Sequence, residues 1–147
     1  MIRKSLFAGL LVGLGCIVYL SCTDKVVGAV LFGFALLCVC YLKCNLYTGK
    51  VGTDMIDSKQ CIKLPPMILF NMIAVCIVCI FASIANPSLS DTAKVVVANK
   101  LAKAPHSVFI DSFLCGVVMY IAVTIYKESN SIVGIVFGIP LFILSGF

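Results

Sequence analysis

Long apolar runs alternate with short polar stretches along the chain. The runs cover residues 5–22, 26–42, 64–86, 107–126 and 131–147, and only the fourth contains a charged residue, Asp111. The first run makes about 27 Å of helix at about 1.5 Å per residue, close to the thickness of a bilayer's hydrocarbon core. The pattern therefore predicts an all-α membrane protein with about five transmembrane helices.

Composition supports this prediction. Of 147 residues, 62% are apolar and 12% are charged, whereas soluble domains average about 45–50% apolar and about 25% charged. The 11 Lys+Arg and 6 Asp+Glu are scattered along the sequence and do not form a basic face. These features exclude a soluble enzyme, a disordered tail and a nucleic-acid-binding module. The expected surroundings are a lipid bilayer.

The distribution of basic residues predicts the orientation. With a cytoplasmic N-terminus, seven basic residues lie inside and four lie outside. The inner set is Arg3, Lys4, Lys43, Lys50, Lys59, Lys63 and Lys127, and the outer set is Lys25, Lys94, Lys100 and Lys103. Cytoplasmic loops collect Lys and Arg, so the pattern favours this orientation. No organelle-targeting pattern is present, which favours a plasma membrane.

Two parts of the sequence resemble each other. Residues 27–36 read VGAVLFGFAL and residues 133–141 read VGIVFGIPL, displaced by about 105 positions, and each follows an uncharged run of similar length. Three spans separate equivalent helices, so the second copy would enter the membrane from the opposite face. We predict one transmembrane domain, with a three-helix half over 1–90 and an incomplete inverted half over 105–147.

The second helix of each half carries residues that break helices. These are Asn45, Thr48 and Gly49 in the first half and Gly134, Gly138 and Pro140 in the second. Broken helices of inverted-repeat transporters leave backbone groups free to meet a solute. In the first half, the 45–50 segment has two interpretations. It is either an ordinary loop, or a loop whose amide N–H groups and Thr48 hydroxyl face an anion.

The sequence VLFGFALLCVCYLKCNLYTGK at 30–50 resembles the second helix and following loop of the formate/nitrite transporter family. Further matches follow in order at the glycines of 9–15, at Leu-Phe-Asn 69–71, at Phe-Ile-Asp 109–111 with Gly116, and at Leu-Ser-Gly-Phe 144–147. The resemblance implies an aquaporin-like helical bundle with a broken second helix. It also implies homopentamers in which each protomer has its own pore for formate, nitrite, hydrosulfide or a similar monovalent anion.

The resemblance also implies site residues. Phe32, Leu36 and Phe142 match apolar gate positions, Thr48 matches the loop threonine that reaches the pore, and Lys103 stands one position from the family's pore-side lysine. An apolar ring forces an anion to shed water, so it must be compensated by a positive group or crossed as the neutral acid. The alternative for the three apolar residues is packing or lipid contact. No cofactor or metal is expected.

Several positions depart from the family pattern. The central histidine of the family would follow two residues after Ser-Gly-Phe 145–147, Tyr120 replaces an asparagine, and Lys43 replaces a glycine. Lys43 either attracts anions on the pore side or extends to the membrane interface. Asp111 is expected at the outer interface and His106 in a solvated outer loop over 86–107.

Nine cysteines introduce a different class of function. Cys76 and Cys79 form a C-x-x-C motif, which also occurs in thiol oxidoreductases. They lie among Ile, Val and Ala, where small packing residues explain them better. The sequence thus predicts a non-enzymatic channel or transporter for small monovalent anions. The alternatives are a truncated, non-conducting membrane subunit of the same fold or, less favoured, a membrane thiol oxidoreductase.

Overall fold

A computed structural model describes residues 1–55 and 57–146, and α-helices are the regular elements of this part of the chain. The helices are α1 (Ile2–Ser21), α2 (Lys25–Tyr41), α3 (Val51–Asp54), α4 (Ser58–Cys61), α5 (Leu64–Ala85), α6 (Pro87–Leu101), α7 (Pro105–Ser129) and α8 (Val133–Ser145). The predicted all-α fold is confirmed. The part of the predicted fifth segment that falls on Phe147 lies outside the described residues.

Helix boundaries follow from local sequence. The Asp24 carboxylate accepts hydrogen bonds from the N–H groups of Val26 and Val27 and so caps the start of α2. Prolines occupy the first turns of α5, α6 and α7, where their missing N–H groups cost nothing. Asn130 ends α7 in the left-handed conformation, which asparagine adopts more readily than most residues.

Each of the five predicted segments coincides with a helix, although the helices differ in length. Three helical stretches, Ile2–Ser21, Lys59–Ala85 and Pro105–Ser129, are long and apolar enough to cross a membrane. The other two apolar helices, α2 and α8, have 17 and 13 residues. The chain is thus a helical membrane protein with at least three helices of spanning length.

The prediction that residues 86–107 form a loop was wrong. Most of this stretch forms α6, and His106 lies in the first turn of α7. No residue of α6 is buried, and its Lys94 and Asp91 side chains pair at 2.8 Å. The prediction considered only uncharged runs of membrane length, whereas α6 carries charges and begins at a proline, as surface helices do.

The helices pack in the order α5, α1, α2, α8, α7, each against its neighbours in this series. Glycines permit the closest approach. A Cβ atom at Gly9 would collide with the Asn71 carbonyl oxygen of α5, and one at Gly13 would lie 3.0 Å from the Val78 Cβ. From the first contact to the second, the residue number increases in both helices, so α1 and α5 run parallel.

Where α2 meets α8 and α7, buried side chains form a central cluster of Leu36, Met119, Ile135 and Ile139. Elsewhere large apolar side chains point outward. Phe34, Phe81, Phe109 and Phe137 are all more than half exposed. So much exposed apolar surface is unusual for a soluble protein and suits contact with lipid.

The predicted breaks have different outcomes. In the first half, regular helix stops at Tyr41 and the chain continues as a loop to α3, so the second helix is broken as expected. In the second half the prediction was wrong, because α8 continues through Gly138 and Pro140. Proline removes only one backbone donor, and apolar helices tolerate that loss when neighbouring helices enclose them.

Candidate transport site

The loop over residues 42–50 (the 42–50 loop) is held against two helices by one side chain, that of Asn71 in α5. The Asn71 Oδ1 accepts a hydrogen bond from the Tyr47 N–H at 2.9 Å. Its Nδ2 donates to the carbonyl oxygens of Ser5 at 2.7 Å and of Asn45 at 3.0 Å. Asn71 is only 7% exposed. Its amide therefore replaces water for three backbone groups and fixes the loop between α1 and α5.

Lys43 turns the chain from α2 into this loop. The Lys43 N–H donates to the Cys40 carbonyl at 3.0 Å and the Cys44 N–H donates to the Val39 carbonyl at 2.9 Å. Lys43 itself has φ 50°. The two bonds and the left-handed residue form a Schellman motif, whose left-handed position is usually glycine. A lysine here costs backbone energy that glycine would avoid.

A cavity of about 170 Å³ lies between the end of α2, the 42–50 loop and the end of α7. We call it the lysine cavity, because Lys43, Lys50 and Lys127 line it. Its other lining residues are Leu36, Val39, Cys40, Cys44, Leu46, Gly49, Val123 and Tyr126. Its lining residues, among those that the structure describes, join three lysines to a set of apolar side chains and include neither Asp nor Glu. Such a composition suits small anions better than cations.

Of the predicted gate residues of α2, Leu36 lies at the floor of this cavity and Phe32 lies beneath it. Leu36 is 4% exposed, lines the lysine cavity and belongs to the central cluster, against which Phe32 packs one turn deeper. Phe142 is half-buried on α8, next to Ile143, which also packs on the cluster. The structure thus brings Phe32 and Leu36 together at the centre of the bundle.

Thr48 lines a different cavity. It lies with Gly9, Val12 and Asn71 around a space of about 320 Å³ between α1 and α5, and its side chain is exposed. Leu46 is a lining residue of both cavities. The 42–50 loop therefore separates the two cavities, with Leu36 on one side and Thr48 on the other.

Lys103 lies far along the bundle from the lysine cavity, where the last turn of α8 meets the start of α7. Its Nζ donates to the Asp111 carboxylate at 2.5 Å and to the Gly146 carbonyl at 2.9 Å. The ammonium therefore pairs with a carboxylate and with the negative end of a helix. The Lys103 and Asp111 side chains are 37% and 23% exposed, so the pair remains in contact with the surroundings.

Sequence reasoning gave no role to Asn71 or to the cavity position of Lys127. Asn71 stands as an amide among apolar neighbours in the 64–86 run. A polar residue in such a run must find partners, and this signal was available in the sequence. Lys127 entered only the count of basic residues, because its proximity to Lys43 depends on the packing of α7 on α8.

The cysteines form no described disulfide. Cys76 and Cys79 are exposed on α5, whereas Cys40 and Cys44 line the lysine cavity. Burial raises the pKa of the Cys44 thiol, and nearby Lys4 opposes that shift. Within the described ranges, no group of three or more His, Cys, Asp or Glu side chains is placed to hold a metal ion.

Comparison with known proteins gives one match. No curated protein and no solved structure matches the chain significantly. The family model for the formate/nitrite transporter matches residues 1–147, the full length of the chain. This match agrees with a helical membrane protein whose broken second helix bears a loop fixed among its neighbours. The chain is a member of the formate/nitrite transporter family.

Proposed function

We propose that the chain conducts formate, nitrite, hydrosulfide or their neutral acids across the plasma membrane. The observation that carries this proposal is the position of Leu36, which forms the floor of a lysine-lined cavity and the centre of the buried cluster. An anion in the cavity would lie among residues that include three lysines, and the buried cluster that begins at Leu36 would stand in front of it. That combination suits a path for small monovalent anions.

The apolar constriction sets the energetics of passage. Moving an unpaired anion into apolar surroundings is far more costly than moving the neutral acid. The anion of a weak acid can therefore take up a proton from the water on one side, cross the constriction as the neutral acid and return the proton to the water on the other side. Phe32, Leu36 and Phe142 are the proposed gate residues, and Thr48 and Lys103 complete the proposed path. Leu46, which lines both cavities, is the side chain that lies between the Thr48 side and the lysine cavity.

We further propose that the two halves are inverted copies. Gly28 faces Tyr19 of the preceding helix, and Gly134 faces Ile125 of its preceding helix, nine residues earlier in each case. Gly33 meets Ile139, which adjoins Gly138, its counterpart in the shared Phe-Gly pair of the proposed repeat. A residue that touches the neighbour of its own counterpart is expected close to the axis relating two copies. These contacts support a repeat in which α2 and α8 meet at that axis.

The proposed assembly is a homopentamer with a cytoplasmic N-terminus. The large exposed apolar faces leave area for both subunit contacts and lipid. Native mass spectrometry of the chain released from membranes should give five copies per complex. Protease cleavage of a short N-terminal tag in sealed right-side-out vesicles should occur only after permeabilisation; cleavage in intact vesicles would reverse the orientation.

Liposome flux assays test the transport proposal. The chain in liposomes should take up formate, nitrite or hydrosulfide faster than empty liposomes do. Leu36→Ala should raise the rate several-fold, because a smaller side chain lowers the desolvation barrier. Phe142→Ala should act in the same direction, and Thr48→Val should slow uptake by removing a hydroxyl that can meet the solute.

Phe34→Ala is the matched control for these variants. Phe34 is on α2, two residues from both Phe32 and Leu36, but is 65% exposed, so its truncation should leave the rate unchanged. Uptake no faster than in empty liposomes would reject the channel and favour the non-conducting subunit. Equal effects of Leu36→Ala and Phe34→Ala would place the gate elsewhere.

A further inference from the structure

A groove of about 890 Å³ opens between the start of α1 and the end of α2. We call it the N-terminal groove. Its lining residues are Met1, Ile2, Arg3, Lys4, Phe7, Leu42 and Cys44. Because α1 is long and apolar enough to cross a membrane, its first turn is expected at the boundary between lipid hydrocarbon and headgroups. The groove therefore lies at the depth where a phospholipid changes from apolar to charged.

Hydrogen bonds hold the two sides of this groove together. The Asn45 N–H donates to the Lys4 carbonyl at 3.2 Å, and the Asn45 Nδ2 donates to the Met1 carbonyl at 3.5 Å. The Asn71 Nδ2 donates to the carbonyl of Ser5, the next residue of α1. The start of α1 is thus joined to its neighbours on two sides, and the groove has a defined shape.

The walls of the groove carry uncovered apolar side chains. Ile2, Phe7 and Leu42 are each about half exposed. Covering such side chains with an apolar ligand removes apolar surface from water. The walls come from the start of α1 and from the end of α2. An acyl chain that lies in the groove would therefore contact both helices.

Positive charge lines the same groove. Arg3 and Lys4 are exposed in the first turn of α1, which contains no acidic residue and has no side-chain cap. The Lys4 ammonium lies close enough to the Cys44 thiol to oppose the rise in its pKa, so this charge acts on the groove. Cations at the start of a helix oppose the helix dipole. The two residues therefore do not serve the stability of α1, and they favour an anion from outside the chain.

We propose that the N-terminal groove binds an anionic phospholipid, with the phosphate group beside Arg3 and Lys4 and an acyl chain over Phe7 and Leu42. A phospholipid of this kind matches the charge and the apolar walls together, whereas a free anion would leave the walls uncovered. Anionic lipids attract basic segments at the cytoplasmic surface. The site agrees with the cytoplasmic N-terminus proposed above.

Native mass spectrometry of the full-length chain in detergent tests the charged part of the site. The chain is offered phosphatidylglycerol and phosphatidylcholine with identical acyl chains, and the parent should retain more phosphatidylglycerol. The double variant Arg3→Gln/Lys4→Gln should retain about tenfold less phosphatidylglycerol at low ionic strength, with phosphatidylcholine unchanged. Lys59→Gln/Lys63→Gln is the matched control, because it removes the same charge from exposed residues that do not line the groove. Phosphatidylglycerol retention should not change in the control.

A second variant tests the apolar wall. Phe7→Ala should lower the retention of phosphatidylglycerol about threefold, because the acyl chain loses a contact. Phe34→Ala is its control, since Phe34 is 65% exposed and does not line the groove. An excess of inorganic phosphate should not displace the lipid from the parent. Displacement by phosphate, with retention unaffected by Phe7→Ala, would identify a site for the free anion and overturn the lipid site.

The remaining outcomes also decide the proposal. Equal losses of phosphatidylglycerol from the two double variants would show a response to net charge alone and would overturn a defined site. Equal retention of the two lipids by the parent would do the same. Circular dichroism of each variant should show the helix content of the parent, so that a loss of lipid is not a loss of fold. The measurement involves no flux, and its result is independent of the proposed transport.

Discussion

The helices α1 and α7, which open the two proposed halves, differ in how they are covered. α1 packs against α2 on one side and α5 on the other, whereas the main partner of α7 is α8. The buried residues of α1 are mostly small, and include Gly9 and Gly13. On α7 only Met119, Ala122 and Val123 are buried.

The contrast is sharpest at two glycines. A Cβ atom at Gly9 would collide with the Asn71 carbonyl and lie 2.7 Å from the Ala74 Cβ, whereas one at Gly116 would meet nothing within 4 Å. The same residue type therefore has different consequences in the two halves. At Gly9 it permits close packing of two helices, while no contact of the described chain explains Gly116.

The Asn71 hydrogen bonds belong to the first half alone. Their removal should lower the free energy of unfolding more than any other single substitution considered below. Asn71→Leu removes three bonds and leaves the Tyr47 N–H and the Ser5 and Asn45 carbonyls without this partner. We expect a loss of about 2–4 kcal/mol in the free energy of unfolding, from about 1 kcal/mol per bond plus desolvation. Chemical unfolding in detergent micelles would measure it.

Asn99→Leu is the control for Asn71→Leu, because Asn99 is an exposed asparagine on α6. It should change the unfolding free energy by less than about 0.5 kcal/mol. Equal destabilisation by the two variants would show that the 42–50 loop does not depend on the Asn71 amide.

The second prediction compares Gly9→Ala with Gly116→Ala. The added methyl group at Gly9 meets backbone and forces α1 away from α5, so we expect a cost of about 1–3 kcal/mol. At Gly116 alanine should be neutral or stabilise α7 by up to about 1 kcal/mol through its higher helix propensity. Thermal unfolding of both variants would test the difference, and a Gly116→Ala protein as unstable as Gly9→Ala would refute it.

The third prediction concerns a position at which the halves should agree. A Cβ atom at Gly28 would lie 3.2 Å from the Tyr19 Cδ2, and one at Gly134 would lie 3.0 Å from the Ile125 Cβ. If the two pairs are copies, Gly28→Ala and Gly134→Ala should each cost about 1 kcal/mol. The shifts in melting temperature should therefore be similar. A large shift at one position with none at the other would argue against the repeat.

Much of this architecture could be predicted from the sequence, because uncharged runs of membrane length have few alternatives to helix. Each of the five predicted segments coincides with a helix, and three of the described helices are long enough to span a membrane. The loop after the second helix was expected from Asn45, Thr48 and Gly49. The position of the helix end was less accessible, since a lysine in the left-handed position of a Schellman motif contradicts the usual preference for glycine. α6 was missed because it is helical without being apolar.

The candidate site could be predicted only in part, because sequence spacing places residues along helices but not across them. Phe32 and Leu36 are one turn apart and were expected together. The convergence of Lys43 and Lys127 depends on how α7 reaches α2 through α8, and no spacing rule gives that arrangement. The separation of Thr48 from Leu36 depends likewise on the Asn71 hydrogen bonds.

The smallest predicted effect concerns the Lys103 end of the second half. Asp111→Asn removes the carboxylate that pairs with Lys103, and the ammonium keeps only the Gly146 carbonyl as a described partner. The pair is partly exposed, so its loss should cost under about 1 kcal/mol. If Lys103 lies on the anion path, its unmasked charge should raise formate uptake up to about twofold at low ionic strength, and Lys103→Gln should lower the uptake.

Asp91→Asn is the control, because it breaks the Lys94–Asp91 pair on α6. This variant should leave formate uptake unchanged. If Asp111→Asn behaves like Asp91→Asn, Lys103 lies off the anion path and serves only to join α7 to the end of α8.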